Sequence, residues 1–130
     1  MINRSYLLDT VAAIALLNND ADIVKALDEK TDAFLSVITL GELYFGVEKS
    51  QHPEENRRRV DAIAQRYEVH YLDNQTARFY GEATRRLRAK GRPIPQNDVW
   101  IAATALQHGL TLLTRDEHFK AVDNLPLKSW

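Results

Sequence analysis

The 130-residue sequence contains no cysteine, which excludes disulfide bonds, thiolate metal sites, iron–sulfur clusters and thiol nucleophiles. Any metal ion would therefore be bound by oxygen or imidazole ligands. The sequence also lacks an apolar run that approaches the ~20 residues of a transmembrane helix, and its N-terminal segment has no basic region followed by a long apolar stretch. We therefore expect a cytoplasmic protein that does not enter a membrane.

An excess of charge of one sign is missing as well. The 17 Lys and Arg residues are balanced by 18 Asp and Glu residues, which gives a formal net charge of −1. A contact with nucleic acid would therefore have to come from local basic clusters. The chain is 45% hydrophobic and 27% charged, which is ordinary for a soluble globular protein, and its length is near the commonest size of a domain. We predict one domain over residues 1–130.

Segments typical of strands alternate with segments typical of helices along the chain. Apolar runs predict strands at 5–8, 33–37, 69–72, 110–114 and 127–130. Helical spacing and the breaker residues between segments predict helices at 11–17, 22–30, 39–50, 54–67, 76–90 and 97–108. This alternation predicts an α/β fold in which a central parallel sheet of four to five strands is flanked by helices on both faces.

Four acidic residues lie where a parallel sheet would place a functional site. Asp9 and Asp116 follow directly on two predicted buried strands, and Glu42 and Asp98 lie in the first turns of two predicted helices. Ligands of open parallel sheets bind beyond the carboxyl ends of the strands. The sequence therefore predicts that these four carboxylates can meet at one edge of the sheet.

Taken singly, most of these acids also have a purely structural interpretation. Thr39 and Glu42 fit the S/T-x-x-E capping box, Asp98 suits a helix start, and Asp116 could cap a short turn. Asp9 ends an apolar run and shows no local partner, although a partly buried carboxylate needs one. The structural and functional interpretations stay open for each residue by itself.

The group is more informative than its members. Two carboxylates ~4 Å apart repel by about 4 kcal/mol at an effective dielectric constant near 20, so a cluster of four needs a cation. Oxygen ligands without cysteine suit Mg²⁺ or Mn²⁺ better than zinc. The chemistry that such a site predicts is hydrolysis of a phosphodiester by an activated water.

Four segments containing these acids resemble the PIN-domain family, and within it the VapC-type toxins of toxin–antitoxin pairs, along essentially the whole chain. The segments are LLDT at 7–10, SVITLGEL at 36–43, NDVWIAATA at 97–105 and LTRDEHF at 113–119. The resemblance implies an RNA-cleaving homodimer that is inhibited by an antitoxin whose tail enters the cleft.

The same resemblance implies roles for individual residues. Asp9, Glu42, Asp98 and Asp116 would be the catalytic acids that bind Mg²⁺ or Mn²⁺. Thr114 would place a hydroxyl beside them, and Thr10 and Asn97 would be further polar neighbours. One departure is Val11, where the family usually has a polar residue, so that a hydrogen bond near Asp9 is in doubt.

Two basic clusters fall on predicted helices. Arg57, Arg58 and Arg59 have acidic neighbours and are expected to form a solvated helix face. The other cluster has fewer acids nearby and is expected to position RNA phosphates; its members are Arg85, Arg86, Arg88 and Arg92. His118 is expected to lie in a surface turn.

Two other functions remain open on the sequence. Asp9 beside Thr10 after a strand would suit an aspartyl-phosphate phosphatase, although a second Asp two residues on and an obvious phosphate-binding lysine are missing. Val11 would suit a catalytically weak or degenerate PIN-like module that acts through protein partners.

Overall fold

The alternation of strands and helices expected from the sequence is present in the computed structural model, which describes residues 4–130. The strands are β1 (Ser5–Leu8), β2 (Asp32–Ser36), β3 (Glu68–His70), β4 (Thr111–Leu113) and β5 (Leu127–Lys128). The α-helices are α1 (Thr10–Leu17), α2 (Ala21–Ala26), α3 (Val37–Glu48), α4 (Pro53–Arg66), α5 (Asn74–Ala89) and α6 (Gln96–His108), and a 3₁₀ helix follows at Glu117–Ala121.

The five strands form one parallel sheet in the order β3-β2-β1-β4-β5. The chain builds outward from β1 through β2 to β3 and then returns to the other side of β1 with β4. The order therefore reverses between β1 and β4, which is the point where parallel sheets bind ligands. The register pairs Leu8 with Leu113, so the residues that follow these two strands leave the sheet side by side.

Hydrophobic side chains cover both faces of the sheet. Leu7 and Leu112 pack with Ile101 of α6 on one face, while Leu8 and Leu113 pack with residues of helices α1 to α4 on the other. Successive residues of a strand point to opposite faces, and these four leucines are fully buried. The sheet is therefore enclosed on both sides, as the predicted fold class requires.

The helix ends follow local chemistry. Gly109 adopts φ 64° and ends α6, as a glycine at this position predicts. Helix α3 begins at Val37, two residues earlier than expected, because the Ser36 hydroxyl accepts a hydrogen bond of 3.0 Å from the N–H of Thr39. Within residues 4–130, no helix is long and apolar enough to cross a membrane.

Candidate metal centre

Asp9 follows β1 at the centre of the sheet, and only 3% of it is exposed. Its Oδ1 accepts a hydrogen bond of 2.8 Å from the N–H of Ala12, which makes Asp9 the N-cap of α1. Its Oδ2 accepts a hydrogen bond of 2.5 Å from the hydroxyl of Thr114, which follows β4. The expectation that Asp9 has no local partner is therefore wrong, since the first turn of the next helix supplies one.

Glu42 lies in the second turn of α3 and is half-buried. Its Oε1 accepts a hydrogen bond of 2.7 Å from the hydroxyl of Thr10, the first residue of α1. The capping-box interpretation of Glu42 is wrong, because the helix begins before Thr39 and Ser36 is its N-cap. Glu42 is consequently bound to α1, next to Asp9, rather than to the start of its own helix.

The imidazole of His118 lies between Asp98 and Asp116. Its Nδ1 is 2.9 Å from Oδ1 of Asp116, and its Nε2 is 2.9 Å from Oδ2 of Asp98. Nε2 is buried, and through its charge and its side-chain contact His118 opposes the rise that burial causes in the pKa of Asp98. The expectation of a surface turn missed this bridge, because nothing in the local sequence shows that α6 faces the 3₁₀ helix.

The capping interpretations of Asp98 and Asp116 have different outcomes. Helix α6 begins after Pro95 without any side-chain cap, and Asp98 lies at its third position. Asp116 does cap the 3₁₀ helix, since its Oδ1 accepts a hydrogen bond of 3.1 Å from the N–H of His118. A capping carboxylate keeps further lone pairs, so this role is compatible with cation binding.

Neighbouring acidic charges raise the pKa values of Asp9 and Asp98. Burial raises the pKa of Asp9 above its ordinary value, and the charges of Asp98 and Asp116 add to this, whereas hydrogen bonds from Thr114 and Ala12 act in the opposite direction. Burial also raises the pKa of Asp98, together with the charges of Glu42 and Asp116, while His118 opposes the rise. Each of the four acids thus lies within electrostatic range of at least one of the others.

The remaining residues expected at the site differ in their placement. Asn97 is exposed at the second position of α6. Arg86 is engaged in ion pairs with Glu82 at 2.8 Å and with Asp123 at 3.5 Å. Its three companions on the basic cluster are exposed and form no ion pair within residues 4–130; they are Arg85, Arg88 and Arg92.

Val11 does not leave Asp9 without hydrogen bonds. Its side chain is 54% exposed, and the carboxylate of Asp9 is held by Ala12 and Thr114 instead. The departure at position 11 therefore supplies no structural reason to regard the site as degenerate.

The donor set fits a hard divalent cation. One donor atom each from Asp98, Asp116 and His118 lie within 4.8 Å of one another, and the pKa of Asp98 is raised by burial and by the neighbouring acids. Carboxylates that repel one another in a partly buried site are stabilised by a cation. The same donors have no thiolate that would favour a soft metal.

Comparisons with known proteins agree with this architecture. The family model of the PIN domain matches residues 6–125. Ribonuclease VapC2 of Rickettsia felis is 32% identical over 130 residues, which cover 96% of this chain and 97% of the relative. Ribonuclease VapC4 of Mycobacterium tuberculosis is 39% identical over 93 residues, which cover 70% of this chain and 72% of the relative.

A solved structure extends the similarity to three dimensions. The crystal structure of VapBC2 from Rickettsia felis bound to a DNA fragment from their promoter matches with a TM-score of 0.88 and 31% sequence identity. The match covers 97% of this chain and 98% of that chain. The chain therefore belongs to the PIN domain family, and within it to the VapC type.

Proposed function

We propose that this chain is a divalent-metal-dependent endoribonuclease, the toxin of a toxin–antitoxin pair, built as one domain. The observation that supports the proposal is that four acids from four separate segments lie within electrostatic range of at least one other acid of the group, near the point where the strand order reverses; they are Asp9, Glu42, Asp98 and Asp116. Relatives that are about as long as this chain carry the name ribonuclease, which supports the same activity.

The four acids, with His118 beside two of them, are the residues that would hold Mg²⁺ or Mn²⁺. When bound, such a cation lowers the pKa of an attacking water and stabilises the charge that develops on the phosphate. Both Mg²⁺ and Mn²⁺ favour oxygen ligands of this kind.

The chain's own contribution is to hold these ligands in place before substrate arrives. Thr114 and the Ala12 amide fix both oxygens of Asp9, and Thr10 fixes Glu42. Residues that orient metal ligands are worth about 10- to 100-fold in metal affinity or activity. Asp9 and Glu42 are therefore positioned by hydroxyl groups and a backbone amide rather than by other charges.

RNA would reach the acids along the exposed arginines of α5 and the following loop. Arg85, Arg88 and Arg92 have no ion pair within residues 4–130, so their charge is available to phosphate groups. Arg86 is a weaker candidate for this role, because it already forms ion pairs with Glu82 and Asp123.

We expect cleavage of RNA by the purified chain to require Mg²⁺ or Mn²⁺. EDTA should lower the rate by at least about a hundredfold, since metal catalysis of this kind contributes several kcal/mol, and either cation should restore it. Sequencing of the RNA ends should find 5′-phosphate and 3′-hydroxyl groups, because an activated water attacks rather than the ribose 2′-hydroxyl. Products with 2′,3′-cyclic phosphates, or cleavage that persists in EDTA, would contradict the proposal.

An antitoxin would contact the apolar surface beside Glu42. A groove of about 220 Å³ lies between α1, α3 and α4, with Ile14, Leu17 and Val47 in its walls and Glu42 at its edge. Phe45 projects from α3 nearby and is 66% exposed. A similar solved structure, VapBC-5 from Mycobacterium tuberculosis, is a member of the VapBC family of toxin–antitoxin systems, which supports a protein partner for this chain.

Replacing Phe45 by glutamate should weaken binding of the co-expressed antitoxin by about 30-fold or more, as expected when a central aromatic contact of an interface is lost. RNA cleavage by the free chain should be unchanged. Co-purification and calorimetric titration would measure the effect, and the exposed Tyr71 on another part of the surface gives the control Tyr71→Glu. The homodimer implied by the resemblance stays a prediction, which light scattering would test.

A further inference from the structure

A small cleft lies beside the first turn of α6. It has a volume of about 220 Å³ and lies between α5 and the segment that leads into α6. Tyr80, Thr84 and Arg88 line it from α5, and Gln96 and Val99 line it from the start of α6. Asp98 lies between these last two residues, so the cleft and the acidic cluster share a single helical turn, which spans about 5.4 Å along the axis.

The hydroxyl of Thr84 is the first sign that the cleft receives a ligand. Its Oγ1 is buried and has no hydrogen-bond partner among the residues described. A buried threonine in a helix can bond to the carbonyl one turn earlier, as Thr104 does with the carbonyl of Trp100 at 2.9 Å. Thr84 does not, and buried polar groups without a partner are rare in folded proteins.

The second sign is the charge at the cleft. Arg88 lines it and forms no ion pair within residues 4–130. The neighbouring cations near the end of α5 already have acidic partners. Arg86 pairs with Glu82 and Asp123, and Lys90 pairs with Asp123. Arg88 is therefore left to meet an anion from outside the chain.

The third sign is a rigid aromatic wall. The rings of Tyr80 and Trp100 are stacked, with centroids 3.9 Å apart and planes inclined by 18°. Tyr80 lines the cleft and Trp100 lies two residues after Asp98. Leu87 and Ile94 supply further apolar walls. Apolar and aromatic walls with a few directed polar groups are typical of sites for small planar ligands.

We propose that this cleft binds the nucleotide next to the scissile phosphodiester of single-stranded RNA. The base would occupy the apolar part of the cleft, the hydroxyl of Thr84 and the amide of Gln96 would bond to its edge, and Arg88 would contact its phosphate. The volume suits one base rather than two, since pockets for drug-sized ligands measure roughly 300–1,000 Å³. This inference rests on the proposed ribonuclease function and names a substrate contact that the acids do not provide.

The test uses nucleoside 5′-monophosphates and does not depend on cleavage. AMP, GMP, CMP and UMP are titrated separately into the full chain in EDTA, and the backbone amide resonances are followed by NMR. We expect saturable shifts of the amides of Thr84, Arg88 and Gln96 with at least one of the four nucleotides. Arg88→Gln should weaken binding by about tenfold or more, which is the loss of one charge-assisted hydrogen bond.

Matched variants separate recognition from folding. Thr84→Val should weaken binding several-fold while leaving the unfolding temperature unchanged or raised, because it removes an unsatisfied hydroxyl, and Thr84→Ser should bind like the parent. Arg58→Gln, an exposed arginine of α4 outside the cleft, should bind normally. In cleavage assays, Arg88→Gln should raise KM more than it lowers kcat.

The outcomes also distinguish the two proposals. Three results would overturn the cleft as a nucleotide site. They are the absence of saturable shifts at millimolar nucleotide, equal binding by all variants, and shifts of the cleft amides that appear without nucleotide as the protein concentration rises. The last result would show that a second copy of the chain covers it. Shifts at the cleft in a chain that cleaves no RNA would instead support the cleft and contradict the ribonuclease proposal.

Discussion

Replacing Asp98 by asparagine is expected to lower RNA cleavage by at least about a hundredfold and, at the same time, to raise the unfolding temperature of the metal-free protein by a few degrees. The two effects have opposite signs because the same carboxylate would bind the cation in the proposed site and is disfavoured without it. Loss of activity caused by misfolding would instead lower the unfolding temperature. The pair of measurements therefore separates a functional residue from a structural one.

The direction of the stability effect follows from the pKa of Asp98. Burial and the charges of Glu42 and Asp116 raise this pKa in the folded protein, and His118 opposes the rise. An acid with a raised pKa contributes its full stability below its unfolded pKa, which is about 3.9 for Asp, and this contribution is lost as pH rises through the folded pKa. Asparagine is neutral at every pH and so avoids the loss.

Thermal unfolding in EDTA between pH 3 and pH 8 would measure the difference. The stabilisation by Asp98→Asn should be present at neutral pH and should vanish towards the acidic end. Adding Mg²⁺ or Mn²⁺ should raise the unfolding temperature of the parent chain but not of the variant. Asp32→Asn, at an exposed position of β2, is the control and should change neither property. If the Asp98→Asn variant cleaves RNA normally, the proposed role of Asp98 is wrong.

Replacing Thr114 by valine should cost about 1–3 kcal/mol of folding free energy and lower cleavage by about 10- to 100-fold. The hydroxyl of Thr114 donates to Oδ2 of Asp9 and also accepts a hydrogen bond of 2.9 Å from the N–H of Asp116. Valine keeps the shape but removes both bonds, and it leaves an oxygen of the buried Asp9 unsatisfied.

Denaturant unfolding and the pH profile of cleavage would measure the two effects. The hydrogen bond from Thr114 lowers the pKa of Asp9, so its loss should move the acidic limb of the profile to higher pH. Thr114→Ser retains the hydroxyl and should restore both activity and profile. Thr111→Val, at a buried position three residues earlier at the start of β4, tests whether any such change in this part of the chain has this effect. An unshifted profile in Thr114→Val would remove the positioning role.

Much of the fold and the choice of the four candidate acids follow from local sequence. The strand at Ser5–Leu8 has the predicted bounds, and Gly109 ends α6 as expected, because apolar runs and glycines act over a few residues. Boundaries that differ from the prediction depend on side-chain contacts. At the start of α3, for example, the hydroxyl of Ser36 caps the helix, so that the helix begins two residues earlier than predicted.

The partners of the acids could not be predicted in the same way. Thr114 and Asp9 are separated by 105 positions, and Thr10 and Glu42 by 32. Each pair meets because the sheet register and the helix packing bring distant segments together. The bridge made by His118 and the different surroundings of Arg86 and Arg88 have the same origin.

The sequence by itself determined the fold class, the order of strands and helices and the four candidate acids, because hydrophobic periodicity, helix ends and short motifs are local properties. Only the tertiary structure decided how the acids are held, which arginines remain unpaired within residues 4–130, and that a cleft with an unsatisfied hydroxyl lies beside the first turn of α6. These features depend on distances between segments far apart in the chain, and such distances are set by the pairing of β1 with β4 and by the packing of α5 against α6.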